Sequence, residues 1–378
     1  MSQTEVQLIK NGAVVDADIN GMSSSKLSGA LPAISGASLT NLPTPTGKTR
    51  NLIINGAMQV AQRGTSSTSS GYYSVDRFLC QFGGTDEAIT QSQHTLTSSD
   101  TGPYEEGFIK SFHIQNGNQT SGAGAADYVE IYTALEDQDI STSGWNYKSS
   151  SSYITISFWV KSSVAQKFPG FLYTNQAAAG DSYMYSYQID NGSGGNLTAD
   201  TWTKVTHSIP GNSSLSFNND NTRGLSVAFF PFNGTDTSTS DHTDGAWAAW
   251  STSNKIKDMT STWYTTNDAT FEITGVQLEV GSVATDFEHR SFGQELALCQ
   301  RYFQVGHAKF YMLNGNNHAC CVPFATSMRD DPSITYTASG GESGSHAPSS
   351  TEYTRKENFQ YFKNSSESDF DFTASAEL

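Results

Sequence analysis

Between residues 51 and 290, apolar and polar side chains alternate in short runs. The clearest run is Tyr153-Ile-Thr-Ile-Ser-Phe-Trp-Val160. Successive side chains of an extended chain point to opposite sides, so Ile154, Ile156, Phe158 and Val160 share one face. The same period predicts strands at Val129–Ile131, Tyr183–Ile189, Leu225–Phe229 and Phe271–Ile273. Thr274-Gly275 reads as a bulge, followed by Val276, Leu278 and Val280 as core-facing positions. Asn- and Gly-rich stretches such as Asn191–Gly195 separate the runs. Many short, one-sided strands without a strong helical period predict an all-β fold, an antiparallel β-sandwich or jelly roll.

The pattern changes on both sides of this region. Ser291 with Gln294 three residues later is a capping-box signal. It predicts a short linking helix over 294–303, with Leu296, Cys299 and Phe303 on one face. Strand signals follow at Ala319–Phe324, at Ser333–Thr337 and near 358–363, so 291–378 reads as a small β-rich domain. Residues 1–50 contain no aromatic residue. They carry Leu27, Leu31, Ile34, Leu39 and Leu42 among Ser, Gly, Ala and Pro. Such aliphatic side chains gain about 1.5–3 kcal/mol each only if buried. An extended segment that braids with copies of itself accounts for them better than a free linker. The expected organisation is therefore 1–50 attachment and oligomerisation segment, 51–290 sandwich, and 291–378 helix plus small β-domain.

Composition narrows the function classes. The 378 residues carry 21 Lys+Arg and 37 Asp+Glu, a net charge of −16, with 12% aromatics and only 15% charged residues. Disordered chains are rich in charge and poor in aromatics. The acidic balance argues against nucleic acid, whose phosphates need clustered Lys and Arg, and against anionic membrane surfaces. No apolar run reaches the length of a membrane span, and the N-terminal stretch has no apolar targeting core. The four cysteines lack paired metal-site spacing. Adjacent Cys320 and Cys321 point to opposite faces of a strand and read as small core fillers.

Several segments carry a resemblance. Asn51-Leu-Ile-Ile-Asn-Gly-Ala-Met-Gln-Val-Ala-Gln-Arg-Gly64 with Tyr73–Phe78 resembles the opening of a domain found in bacteriophage tail-fibre and other virion appendage proteins. Phe271–Arg290 resembles its closing strand, Gln294–Tyr302 the linker after it, and Met328-Arg-Asp-Asp-Pro332 a motif of the C-terminal β-piece. Asp18–Pro32 is similar to the stalk segments of such proteins. Residues 95–150 and 230–265 match no motif. The resemblance implies a virion structural protein with a jelly roll like those of carbohydrate-binding modules, usually a trimer. Its partners would be sister copies, other virion proteins through the N-terminal segment, and a host-surface glycan, with the protein displayed on the particle exterior. A capsid head fibre or decoration protein is the alternative within the same class. For the motif residues themselves the reading is structural. Phe287 plugs the sandwich edge, and Arg63 and Arg290 pair with Glu279, Asp286 or Glu288.

Sugar binding requires flat aromatic rings for the C–H faces of a pyranose and carboxylates or amides for its hydroxyls. Trp247 and Trp250, three residues apart beside Asp241 and Asp244, fit that need, and Tyr183 and Tyr185 share one strand face. The same rings equally suit a core. Asp236, Asp241, His242 and Asp244 offer a weak calcium-type donor set. No cofactor or metal is otherwise expected, because the eight histidines follow no ligand motif. Enzymatic action has little support. The acidic runs Glu105-Glu106 and Glu136–Asp139 read as loops, and loop neighbours do not make an opposed acid and base. No nucleophile elbow or phosphate loop is present. The reading is a non-enzymatic binding protein, with a glycan depolymerase as the competitor from another class.

Overall fold

The computed structural model describes residues 50–175, 182–311, 318–338, 350–363 and 367–378. Leu27, Leu31, Ile34, Leu39 and Leu42, expected to serve attachment and oligomerisation, lie outside them. The described residues belong to one compact unit, Lys48–Leu378.

Fourteen strands and two short helices come first. They are β1 (Ser66–Ser67), β2 (Leu79–Gly83), β3 (Thr90–Thr95), β4 (Lys110–Gln115), β5 (Tyr128–Glu136), α1 (Asp137–Ser141), β6 (Tyr153–Ser162) and β7 (Phe168–Thr174). Then follow β8 (Tyr183–Ile189), β9 (Thr203–Pro210), β10 (Arg223–Asn233), β11 (Ser238–Thr239), β12 (Trp247–Ala249), β13 (Ile256–Lys257), α2 (Thr262–Thr265) and β14 (Thr270–Val280). Two six-stranded antiparallel sheets form, ordered β1-β3-β4-β14-β6-β9 and β12-β8-β7-β10-β5-β2. The fold is an antiparallel β-sandwich of the jelly-roll class. Strands β11 and β13 make a two-residue parallel contact within the loop between β10 and α2.

The alternation in Tyr153–Val160 is the reason β6 sits where it does. Ile154, Ile156, Phe158 and Val160 are all fully buried between the sheets. Rings interlock across the gap: Phe158 of β6 meets Phe229 of β10 edge-on at 4.9 Å, and Phe168 of β7 meets Phe271 of β14 at 4.9 Å. Each such pair adds about 0.5–1.5 kcal/mol beyond its buried area. The bulge read at Thr274-Gly275 is present as a register shift between Thr274 and Gln277, with Gly275 at φ 62°. Val276 and Leu278 are buried as expected, but Val280 is 40% exposed. It ends the strand at the Gly281 turn, where the core has closed.

The two motifs from opposite ends of the sandwich pack on each other. The Asn51 side chain donates to the Val276 carbonyl (3.1 Å) and accepts from the Leu278 N–H (3.1 Å). The Glu288 carboxylate accepts from the N–H groups of Arg50 and Asn51 at 3.2 and 2.8 Å. Arg290 pairs with Glu288 (3.1 Å) as anticipated. Arg63 does not join that cluster. It pairs with Asp76 (3.5 Å) and Glu377 (2.9 Å), a partner 314 residues away that no local reading could supply. Phe287 packs edge-on against Phe108 at 4.8 Å.

After β14 the capping box forms as read: the Ser291 hydroxyl accepts from the Gln294 N–H and the Gln294 side chain accepts from the Ser291 N–H. Helix α3 (Phe292–Gln300) follows, then β15 (Phe303–Tyr311), β16 (His318–Pro323), β17 (Ser333–Ala338), β18 (Ser350–Thr354), β19 (Asn358–Lys363) and β20 (Glu367–Ser375). Phe303, read as the last turn of the helix, starts a strand instead. Two three-stranded sheets, β15-β20-β17 and β16-β19-β18, enclose a second core around Phe359, Tyr361, Phe370 and Phe372. Cys321 is exposed, not a core filler. Its strand offers one face to that core, which Val322 occupies.

Candidate functional site

The β12-to-β2 sheet is covered on much of both faces, and it carries the cleft. In β10, ten consecutive residues from Gly224 to Asn233 are buried. Val227 and Phe229 face the intersheet core, whereas Ala228 and Phe230 face outward and pack with Phe171, Met184 and Ile256. The loop between β10 and α2 folds over part of this outer face. Beyond its edge lies a cleft of about 300 Å³, lined by Tyr72, Leu79, Gln81, Glu130, Tyr132, Ala134, Tyr173, Arg223, Ser226, Trp250 and Lys255. An adjoining depression of about 230 Å³ shares Gln81, Glu130 and Lys255 with it.

The aromatic wall is ordered by mutual contacts. The Trp250 ring lies 5.3 Å from Tyr173, and Tyr173 meets Tyr132 at 6.2 Å with perpendicular planes. Trp250 is 39% exposed, an expensive position for an indole in a folded monomer. The polar side centres on Glu130. Its carboxylate accepts from Lys255 Nζ (2.9 Å), Asn233 Nδ2 (2.8 Å), Gln81 Nε2 (3.0 Å) and the Tyr132 hydroxyl (2.5 Å). Burial pushes the Glu130 carboxyl up. The Lys255 ammonium and the hydrogen bonds from Tyr132 and Gln81 outweigh it and hold the group below its ordinary value. A carboxylate held in place by four donors therefore flanks the rings. Arg223 donates to the Tyr173 hydroxyl at 3.0 Å, which fixes that ring's tilt. The Ser226 hydroxyl beneath the cleft is buried, with no hydrogen-bond partner among the described residues.

The residues singled out in the sequence scatter around this site. Trp250 lines the cleft. Trp247 does not: it pairs with Tyr185 in register across β12 and β8, and its ring lies 5.4 Å from the Tyr185 ring. Its Nε1 donates to the Pro210 carbonyl at 2.7 Å. Three residues along an extended segment reverse the face, so the two indoles part company. Tyr185 is buried in the intersheet core, and Tyr183 packs half-buried against the same cluster. Asp244 accepts from the Ser186 hydroxyl (2.6 Å) and Gln188 Nε2 (2.9 Å), whereas Asp241 is exposed. Asp236, Asp241, His242 and Asp244 do not converge as a donor set; His242 Nε2 lies 2.6 Å from the Ser186 hydroxyl instead. Glu136, read as part of a loop, ends β5 and is fully buried, bonded by the Tyr302 hydroxyl (2.6 Å) and Arg301 (2.9 Å).

The cleft draws Glu130, Tyr132, Trp250 and Lys255 from the two stretches that match no motif. Period-2 reading placed a strand at Val129–Ile131 but gave no sign that Tyr132, one residue further and on the opposite face from Ile131, belongs to a cleft.

No protein-family model matches the chain, and a comparison with curated proteins finds no match. Among solved structures, the N-terminal cellulose-binding domain of β-1,4-glucanase C from Cellulomonas fimi is similar at 10% identity and TM-score 0.25, covering 60% of this chain and 99% of that one. A family 30 carbohydrate-binding module is similar at 10% identity and TM-score 0.24, covering 62% and 89%. Discoidin II of Dictyostelium discoideum covers 77% and 96% at 12% identity and TM-score 0.16. TM-scores this low carry no argument about function, so the cleft is judged on its own residues.

Proposed function

We propose that the chain is a non-enzymatic glycan-binding module, with the cleft on the outer face of the β12-to-β2 sheet as its site. One observation carries this reading: the exposed Trp250 indole and the Tyr173 ring stand beside a fixed Glu130–Lys255 pair. A sugar ring presents an apolar C–H face and a rim of hydroxyls, and this cleft offers both complements. Ligand sites of this type are concave, with aromatic walls and a few placed polar groups. Trp250→Ala is expected to weaken binding of the host-envelope polysaccharide by about thirtyfold, near 2 kcal/mol for a central aromatic anchor. The melting temperature should stay within a degree or two. Calorimetric titration checks it. Unchanged affinity in Trp250→Ala, or no polysaccharide binding by the wild type, overturns the reading.

The wider setting is part of the same proposal. The likeness of Asn51–Gly64, Phe271–Arg290 and Met328–Pro332 to phage appendage proteins supports display on a virion, as a tail fibre or a head fibre. The spaced aliphatics of residues 1–50 support a trimer anchored to the particle there. Three weak clefts on one particle gain avidity without new contacts. Light scattering of the full chain should give the mass of three copies; a monomer at micromolar concentration overturns the trimer and leaves the cleft reading standing.

A further inference from the structure

On the other sheet, three donors that the sequence keeps far apart meet on one face. His94 lies on β3, His113 on β4 and Glu272 on β14, and these strands are adjacent in the order β3-β4-β14. His113 and Glu272 are directly opposed in the ladder, and His94 sits one diagonal step away, opposite Ser111. Cross-strand and diagonal neighbours on one face are within side-chain reach. His94 Nδ1 is 3.1 Å from Glu272 Oε2, and His113 Nδ1 is 3.6 Å from Glu272 Oε1. The two imidazoles stand 5.3 Å apart with nearly perpendicular planes. One donor atom from each of the three residues lies within 4.8 Å of the other two.

The geometry points to a site for a borderline first-row divalent ion, with zinc the best fit, held by His94, His113 and Glu272. Two imidazoles and one carboxylate are a donor set that suits Zn²⁺ and not Ca²⁺ or Mg²⁺, which prefer all-oxygen shells. Bonds of about 2.0–2.1 Å need the donors to close by roughly an ångström, and His94, with half its side chain exposed, supplies that freedom. Two further features favour the site. His113 Nδ1 is buried and has no hydrogen-bond partner, so its side chain faces the cluster unsatisfied. Glu272 is held by the Ser111 hydroxyl, which donates to its Oε2 at 2.7 Å, the kind of outer contact that fixes a ligating carboxylate. Lys161 touches Glu272 Oε1 at 3.0 Å but also reaches Asp100 at 3.1 Å. It keeps the second partner when Glu272 turns its charge to the ion. Three protein donors leave the fourth position, on the exposed His94 side, to water.

The site is independent of the glycan cleft, since it lies on the opposite sheet. The test is calorimetric titration of the full chain with zinc chloride, alongside the visible absorption of the cobalt(II) form. One ion per chain is expected, with a tetrahedral cobalt spectrum. His94→Ala and Glu272→Gln should each weaken zinc binding by about tenfold to a hundredfold, since even outer-shell changes cost that much. His207→Ala, a change on β9 outside the cluster, should leave it unchanged. The half-exposed His94 keeps the test valid if Glu272→Gln disturbs folding. No zinc uptake by the wild type at millimolar metal overturns the inference. So does unchanged affinity in the His94→Ala, His113→Ala double variant.

Discussion

Arg77→Ala is expected to lower the unfolding free energy by about 3–5 kcal/mol, the cost of breaking one side of a buried ion pair. Arg77 is 1% exposed, and its backbone takes a positive φ of 69°. Its guanidinium donates to the Ala134 carbonyl of β5 at 2.6 Å and to the Glu377 carboxylate, and its plane lies 3.5 Å over the Tyr302 ring. One side chain thus joins the sandwich, a tyrosine two residues past the linking helix and the penultimate residue of the described chain. Removing it leaves the Ala134 carbonyl unpaired, Tyr302 without its stacking partner and Glu377 with Arg63 alone. Arg77→Lys should recover little, because an ammonium cannot serve two acceptors in a planar fork while stacking on a ring. Urea unfolding of the variants gives the answer. The double change Arg77→Ala, Glu377→Ala should cost less than the two single changes together, because the lost partner is shared. A loss under about 0.5 kcal/mol for Arg77→Ala, typical of a plain surface substitution, would show that the guanidinium does not hold the two cores together.

That junction also marks where sequence reading stops. Arg77 and Glu377 are 300 residues apart, so no window along the chain contains both. Alternation announces a strand even where both faces are covered: Ile154, Ile156, Phe158 and Val160 alternate with Thr155, Ser157 and Trp159, and β6 lies where the pattern places it although Thr155 and Ser157 are buried as well. The helix start at Ser291 and the bulge at Gly275 were equally legible, because each is written in two to four adjacent residues. The cleft was not. Its strands β5 and β10 show the same alternation, but a polar residue at an outer-face position, such as Glu130 or Ser226, reads in sequence as an ordinary solvated one and does not announce a concave site. The spacing of Trp247 and Trp250 suggested a shared site, but an odd interval in extended chain separates their faces. His94, His113 and Glu272 follow no ligand spacing, because strand pairing and not local sequence sets them together.

Gly56→Ala is expected to destabilise the sandwich by about 3 kcal/mol, at or above the usual upper range for overpacking. Gly56 lies in the opening motif, and its carbonyl accepts from the Val276 N–H at 2.9 Å, at the β14 bulge. A Cβ at this position would stand 2.0 Å from the Val276 carbonyl oxygen. That oxygen also accepts from Asn51 Nδ2 at 3.1 Å, so it cannot retreat without breaking the contact between the two ends of the sandwich. The obstacle is backbone, which has no rotamer to change. Gly293→Ala separates this clash from the ordinary effect of removing a glycine. A Cβ on Gly293 meets nothing within 4 Å, and the residue sits in the first turn of α3. There the substitution should stabilise by about 0.4–1 kcal/mol, by restricting the unfolded chain. Thermal unfolding of both variants beside the wild type should therefore move in opposite directions. If Gly56→Ala melts at or above the wild type, the close approach of the opening motif to β14 is not what closes the sandwich.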